Sequence, residues 1–261
     1  MSKLADIQFQ VMWNRLISVV EEQAQTLVRT AFGAATREAG DLSAGVFLPD
    51  GRMVAQAVTG TPGHVNSMAE SVKHFLAEYP AKTMQPGDVF VTNDPWKGTG
   101  HLNDITMVTP VFKTVNKKAR MVALFASTVH VVDIGGIGLS ADGTQVYHEG
   151  LFLPPLRLVE RGKMSDTVLR ILRSNVREPV QVEGDFYALV ACNEIGGRRL
   201  LAMMNEYKLA DIEKLERERA MALVARRYPE YRSDPAERQK AFLFLVRRGF
   251  PISRVSEWLR S

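Results

Sequence analysis

Imidazole and carboxylate groups concentrate in one stretch: Asp94, His101 and Asp104 in the loop of Val91-Thr-Asn-Asp-Pro-Trp-Lys-Gly-Thr-Gly-His-Leu-Asn-Asp, then His130 and Asp133 in Leu124-Phe-Ala-Ser-Thr-Val-His-Val-Val-Asp-Ile-Gly-Gly. These are the ligand types of a divalent metal, and a catalytic site commonly takes three protein ligands and leaves a position open. His101 and Asp104, three apart on a short turn, can converge on one ion, and His130 can complete the set from a separate strand. Glycines at 98, 100, 135 and 136 permit the tight backbone such a site needs. The same spacing also fits a polar loop and a strand-end histidine satisfied by backbone.

Three β-type runs must position these groups: Val89–Thr92, Ile105–Val111 and Met121–Val132. Asn116-Lys-Lys reads as the tip of a hairpin joining the last two. The two histidine-bearing ends then lie either at opposite ends of adjacent antiparallel strands or across a sheet edge. The first arrangement brings them together, because the start of one strand pairs with the end of the next. Glu149, before Gly150, reads as a general base, a further ligand or a solvated loop residue. His64 precedes a helix expected over 66–78 and capped by Asn66 or Ser67, where a substrate anion can sit; a structural or solvated histidine fits equally. Asp94 joins His64 as a substrate-binding candidate.

The surrounding pattern predicts an α+β fold, a mixed or antiparallel sheet with flanking helices and a small all-helical tail. Apolar residues recur at three and four over 5–39, giving one long helix. Two β-prone runs around Pro49-Asp50-Gly51 give a hairpin. An extended stretch is expected from His148 through Pro154-Pro155, and helices over 165–175 and from Gly184 to Met204, with Asp185 near the start of the second. Cys192 is the only cysteine, which excludes an intramolecular disulfide and a cysteine zinc site; its neighbours suggest a buried small hydrophobe. No apolar run approaches ~18 residues, so no membrane span is expected, and the N-terminus lacks signal-peptide character. A soluble, cytoplasmic setting is the expectation.

Charge divides the chain. Residues 213–261 hold 12 Lys+Arg against 7 Asp+Glu, a net +5, whereas 1–212 hold 21 against 22, a net −1. The body therefore gives no reason to expect nucleic-acid binding. The boundary is placed here: 1–212 as a metal-site domain and 213–261 as a basic three-helix tail. Ser233 or Asp234 caps the second tail helix, Gly249 ends it, and Ser253 begins a third.

Asn93-Asp-Pro-Trp, Gly100-His-Leu-Asn-Asp, His130-Val-Val-Asp-Ile-Gly-Gly, Glu149-Gly-Leu, Pro154-Pro155, Asn175-Val-Arg, Gly184-Asp and Ala191-Cys-Asn occur in order, preceded by Asp41-Leu-Ser-Ala and Pro62-Gly-His. Over roughly 5–212 the chain thus resembles the hydantoinase B/oxoprolinase family. The resemblance implies a subunit that hydrolyses cyclic amides such as hydantoins or 5-oxoproline with a hydantoinase A-type, ATP-using partner, in a hetero-oligomer. It also implies a divalent metal, zinc or manganese, on His101, Asp104 and His130, as in the related ketone carboxylases. In that chemistry the partner phosphorylates the ring amide oxygen, and Asp133 or Glu149 takes a proton.

Two departures stand beside it. The family's glycine-rich second half is absent, and from about Glu213 the pattern, especially Phe244-Leu-Val-Arg-Arg-Gly-Phe, is similar to the helical repeat of the RecX regulators, which bind a recombinase filament. A ketone carboxylase subunit is the alternative enzyme. The alternative from another class is a non-catalytic shell that keeps partner binding, with the tail as a protein-interaction module.

Overall fold

The computed structural model describes residues 3–98, 100–115, 117–138, 140–248 and 250–260. In chain order its elements are α1 (Lys3–Thr30), α2 (Ala34–Arg37), β1 (Leu42–Phe47), β2 (Met53–Gln56), α3 (Pro62–Glu78), β3 (Val89–Thr92), β4 (Asp104–Val115), β5 (Lys118–His130), α4 (Val146–Glu149), β6 (Leu156–Glu160), β7 (Lys163–Met164), α5 (Asp166–Asn175), α6 (Pro179–Glu206), α7 (Glu213–Arg227), α8 (Pro235–Arg247) and α9 (Ile252–Trp258). The chain forms two compact units, Leu16–Lys208 and Met1–Arg15 with Leu209–Ser261.

The larger unit is α+β, as the patterning predicts. Its strands form one sheet in the order β2-β1-β5-β4-β3-β6-β7, and every pairing is antiparallel. The β4–β5 hairpin is central and long because its runs are apolar on both faces; eight successive residues in each strand are buried. One face meets α3, where Met68, Val72 and Phe75 pack with Val108, Leu124 and Ala126. The other face meets α6. A Cβ at Gly196 would run into the Phe125 ring and one at Gly197 into Val111, so these glycines let the helix sit close to the strands. Gln23 of α1 ties that layer together, donating to the Ala126 carbonyl at 2.9 Å and to Asn193 Oδ1 at 2.7 Å. Cys192 lies fully buried in α6, and burial pushes its thiol up to about 12, which suits the small-hydrophobe reading.

Four expected elements differ. The single helix over 5–39 breaks at Ala31–Gly33, where Asp185 draws in the Phe32 and Gly33 N–H groups at 2.7 and 3.0 Å. The helix expected from Asn66 starts at Pro62, which needs no N–H partner in a first turn; His64 is therefore inside the helix rather than before it. For the same reason α6 begins at Pro179, and Asp185 lies in its second turn instead of near its start. The stretch expected to be extended from His148 opens instead within α4. The hairpin around Asp50-Gly51 forms as read, with Gly51 at φ 87.

In the smaller unit α7, α8 and α9 enclose a core of Ala220, Val224, Tyr231, Ala241, Leu245, Val255 and Trp258. Asp234 caps α8 by accepting from the Ala236 N–H at 2.8 Å. The third helix starts at Ile252 behind Pro251, one residue earlier than expected. The Arg219 guanidinium lies 4.2 Å from the Trp13 ring centre. Asn116 and Gly249, read as a hairpin tip and a helix end, lie outside the described residues. Among the described residues no helix is long and apolar enough to cross a membrane.

Candidate metal centre

The β4–β5 ladder ends on the register pair Asp104↔His130. The first of the two arrangements left open by the sequence is thus the one formed: the start of β4 lies beside the end of β5. His101, in the turn leading into β4, completes the group. Ligand atoms of His101, Asp104 and His130 all lie within 4.8 Å of one another. Asp104 is the hub, with Oδ1 3.0 Å from His130 Nδ1 and Oδ2 3.3 Å from His101 Nδ1. The two imidazole planes stand 88° apart with centroids at 5.0 Å.

Burial is graded across the group. The Asp104 side chain is 2% exposed, His130 17% and His101 36%, so the group opens towards solvent on the His101 side. A buried carboxylate needs compensating charge. The Asp104 hydrogen bond raises the His130 pKa above the usual value, against the opposing effect of burial.

His64 adds a second layer. Its Nε2 is 3.6 Å from Asp104 Oδ2, and its Nδ1 is 3.6 Å from Asp41 Oδ1. These separations exceed hydrogen-bond length, and Nδ1 is buried without a hydrogen bond. Asp104 thus has three imidazoles within 3.6 Å, of which His130 is its hydrogen-bond partner, a cluster of donors that suits a cation. Two imidazoles and one carboxylate form a donor set for zinc or manganese.

Two asparagines hold the loop that supplies His101. Buried Asn93 donates Nδ2 to the Leu102 carbonyl at 2.8 Å and the Leu151 carbonyl at 2.9 Å, and accepts from the Leu153 N–H at 2.7 Å. Asn103 donates to the Val131 carbonyl at 2.9 Å, while the Val131 N–H returns to the Asn103 carbonyl at 2.8 Å. Gly98, at φ 137, lies where a Cβ would collide with Ser71 Oγ and the Ser67 carbonyl. The sequence reading missed Asn93, Asn103 and Asp41 as working residues; the repeated Asn-Asp pairs at 93–94 and 103–104 are the signal that could have found the first two.

The other candidates separate by what their carboxylates are doing. Glu149 Oε2 accepts from the Leu102 N–H at 3.0 Å, one residue from His101. Gly136 lets the 135–137 turn pass against the His148 and Glu149 backbone that presents it. Asp94 caps the short helical turn 95–97 by accepting from the Trp96 N–H at 3.0 Å, with Lys97 Nζ 3.5 Å away. Asp133 accepts from the N–H groups of Gly135, Arg177 and Glu178 and from the Arg177 guanidinium. Burial pushes the Asp133 carboxyl up, but these donors together outweigh it and hold the group below its usual value.

That shift has a pH consequence. A carboxyl with a lowered folded-state pKa contributes stability above its unfolded value of about 3.9 and loses it as pH falls through the folded one. Asp133→Asn should therefore be less stable than the parent at neutral pH, with the difference shrinking below about pH 4. Thermal melts from acid to neutral pH check this; a difference independent of pH contradicts it.

Residues 5–222 match the family model described as hydantoinase B/oxoprolinase, and the chain belongs to that family. Residues 215–259 match the third three-helix domain of RecX. The 5-oxoprolinase 1 of Arabidopsis thaliana is 28% identical over 79% of this chain, and the caprolactamase subunit beta of Pseudomonas jessenii is 29% identical over 79%. The chain spans only 17% and 35% of these relatives' own lengths. The crystal structure of the ATP-dependent caprolactamase from Pseudomonas jessenii superimposes with a TM-score of 0.69 at 26% identity, over 84% of this chain and 38% of that one. A nucleotide-free acetone carboxylase structure gives a TM-score of 0.70 at 19% identity, over 80% and 27%, a likeness of fold alone.

Proposed function

We propose that the chain is the metal-bearing B-type component of an ATP-dependent cyclic-amide hydrolase, acting in the cytoplasm on a hydantoin- or 5-oxoproline-like ring with an ATP-using A-type partner. The observation that carries this reading is the convergence of His101, Asp104 and His130 within 4.8 Å at the end of the central hairpin. A divalent cation held there supplies Lewis-acid polarisation of a carbonyl or a more acidic water.

The chain's own groups divide the remaining work. Asp104 fixes the orientation of both ligand imidazoles through its two oxygens. His64 lies against the same carboxylate and is the side chain best placed to orient a ring oxygen. Glu149 has one oxygen committed to the Leu102 N–H, and its other oxygen makes no hydrogen bond among the described residues. That second oxygen is suited to accept the proton of an attacking water once the partner has phosphorylated the ring amide. Asp133 is a weak base for the same purpose, because its lone pairs are occupied and its pKa is lowered. Its part is to brace the glycine turn against Arg177. Asp94 likewise supports the loop.

Caprolactamase and 5-oxoprolinase, the relatives named above, favour ring hydrolysis over ketone carboxylation, for which the likeness extends only to fold. Purified chain mixed with an A-type subunit, ATP and magnesium should open hydantoin or 5-oxoproline with release of ADP, and His101→Ala should abolish ring opening. A metal-loaded chain that binds the A-type subunit but opens no ring favours the non-catalytic, partner-binding alternative.

A further inference from the structure

Chemistry that the metal centre does not use gathers in the three-helix part of the smaller unit. There α8 and α9 line a cavity of about 260 Å³ whose walls include Arg238, Gln239, Phe242, Leu259 and Arg260, with no acidic side chain among the described residues. This is below the ~300–1,000 Å³ usual for small-molecule sites and suits one or two apolar side chains of a peptide. Two guanidiniums stand at it without a carboxylate among the described lining residues. Arg238 is fixed by carbonyl groups, donating Nε to Tyr231 at 3.0 Å and Nη2 to Arg232. Arg260 is exposed, and its side chain makes no hydrogen bond or ion pair among the described residues. The neighbouring acids are spent elsewhere: Glu237 pairs with Lys240 at 3.2 Å and Glu257 with Arg254 at 3.3 Å. The segment 213–261 has a net charge of +5.

We propose that this cleft docks an acidic peptide segment of a partner protein, an apolar side chain entering between Phe242 and Leu259 while flanking carboxylates meet Arg238 and Arg260. Arg238 is preorganised by its two carbonyl contacts, so little side-chain freedom is lost when a carboxylate reaches it. Uncompensated guanidinium beside apolar surface selects an anionic, apolar-anchored ligand and disfavours a neutral or basic one. The inference is independent of the hydrolase reading, because none of its residues belongs to the metal centre.

The test uses the full chain and three labelled peptides, Glu-Glu-Leu-Phe-Glu-Glu and its Gln- and Lys-flanked counterparts, followed by fluorescence anisotropy. The acidic peptide should bind tightest, weaken as salt rises, and lose at least about tenfold in affinity with Arg260→Glu. Arg260 is exposed, so the variant should keep the parent's melting temperature, which is recorded alongside. Equal binding of the three peptides, no saturable binding of the acidic one, unchanged affinity with Arg260→Glu, or tighter binding of single-stranded oligo(dT) would each overturn the proposal.

Discussion

Replacing Asp104 by alanine is expected to abolish metal occupancy. Its carboxylate touches both candidate ligand imidazoles, so on the proposed reading the substitution removes one donor and the group that orients the other two. Loss of an orienting partner alone typically costs about 10–100-fold in affinity, and loss of a ligand adds to that. Asp104→Asn keeps the size and removes the charge; it should still weaken binding about a hundredfold. The effect on folding is separate. Breaking a buried charged pair costs about 3–5 kcal/mol, and Asp104 is almost fully buried beside His64, His101 and His130. Metal analysis after gel filtration and urea unfolding of the metal-free protein read the two effects apart. Wild-type metal content in Asp104→Ala contradicts the account.

Asn93→Ala should be the most damaging substitution outside the ligands. It leaves the Leu102 and Leu151 carbonyls and the Leu153 N–H without their partner, with Leu102 and Leu153 buried and Leu151 half-buried. Each orphaned buried group costs about 1–3 kcal/mol, so a loss of at least about 2 kcal/mol is expected. That is a large share of a domain's usual margin of about 5–15 kcal/mol. The urea midpoint should fall, and metal affinity with it, because the Leu102 clamp sets the position of His101. Glu149→Gln is the control: an amide oxygen can still accept from the Leu102 N–H, so stability should change little while ring opening drops. A midpoint for Asn93→Ala equal to that of Glu149→Gln contradicts this assignment.

The route from sequence to structure is uneven, and the unevenness has physical causes. The central hairpin was legible because apolar β-branched runs on both sides of a polar tip have few other ways to bury themselves. His101, Asp104 and His130 are legible as a group through their types and spacing, but two strand arrangements fit them and only the Asp104↔His130 register separates the two. The helices at Pro62 and Pro179 start earlier than the apolar pattern predicts, because proline suits a helix's first turn, where its missing N–H costs nothing. The break after α1 was invisible because its cause, the Asp185 carboxylate, lies about 150 residues away in the chain. Asn93 is harder to read for a related reason: its three partners lie at 102, 151 and 153, so the repeated Asn-Asp pair marks the residue without showing what it clamps.

The proposed function rests on one divalent cation held by His101, Asp104 and His130. Elemental analysis of the purified wild-type chain, beside His101→Ala and His130→Ala prepared identically, tests it most directly. The account predicts about one zinc or manganese per wild-type chain and strongly reduced occupancy in both variants, because a three-ligand set loses most of its affinity with any member. A wild-type chain that takes up no divalent metal, or variants that hold as much as the wild type, would contradict it.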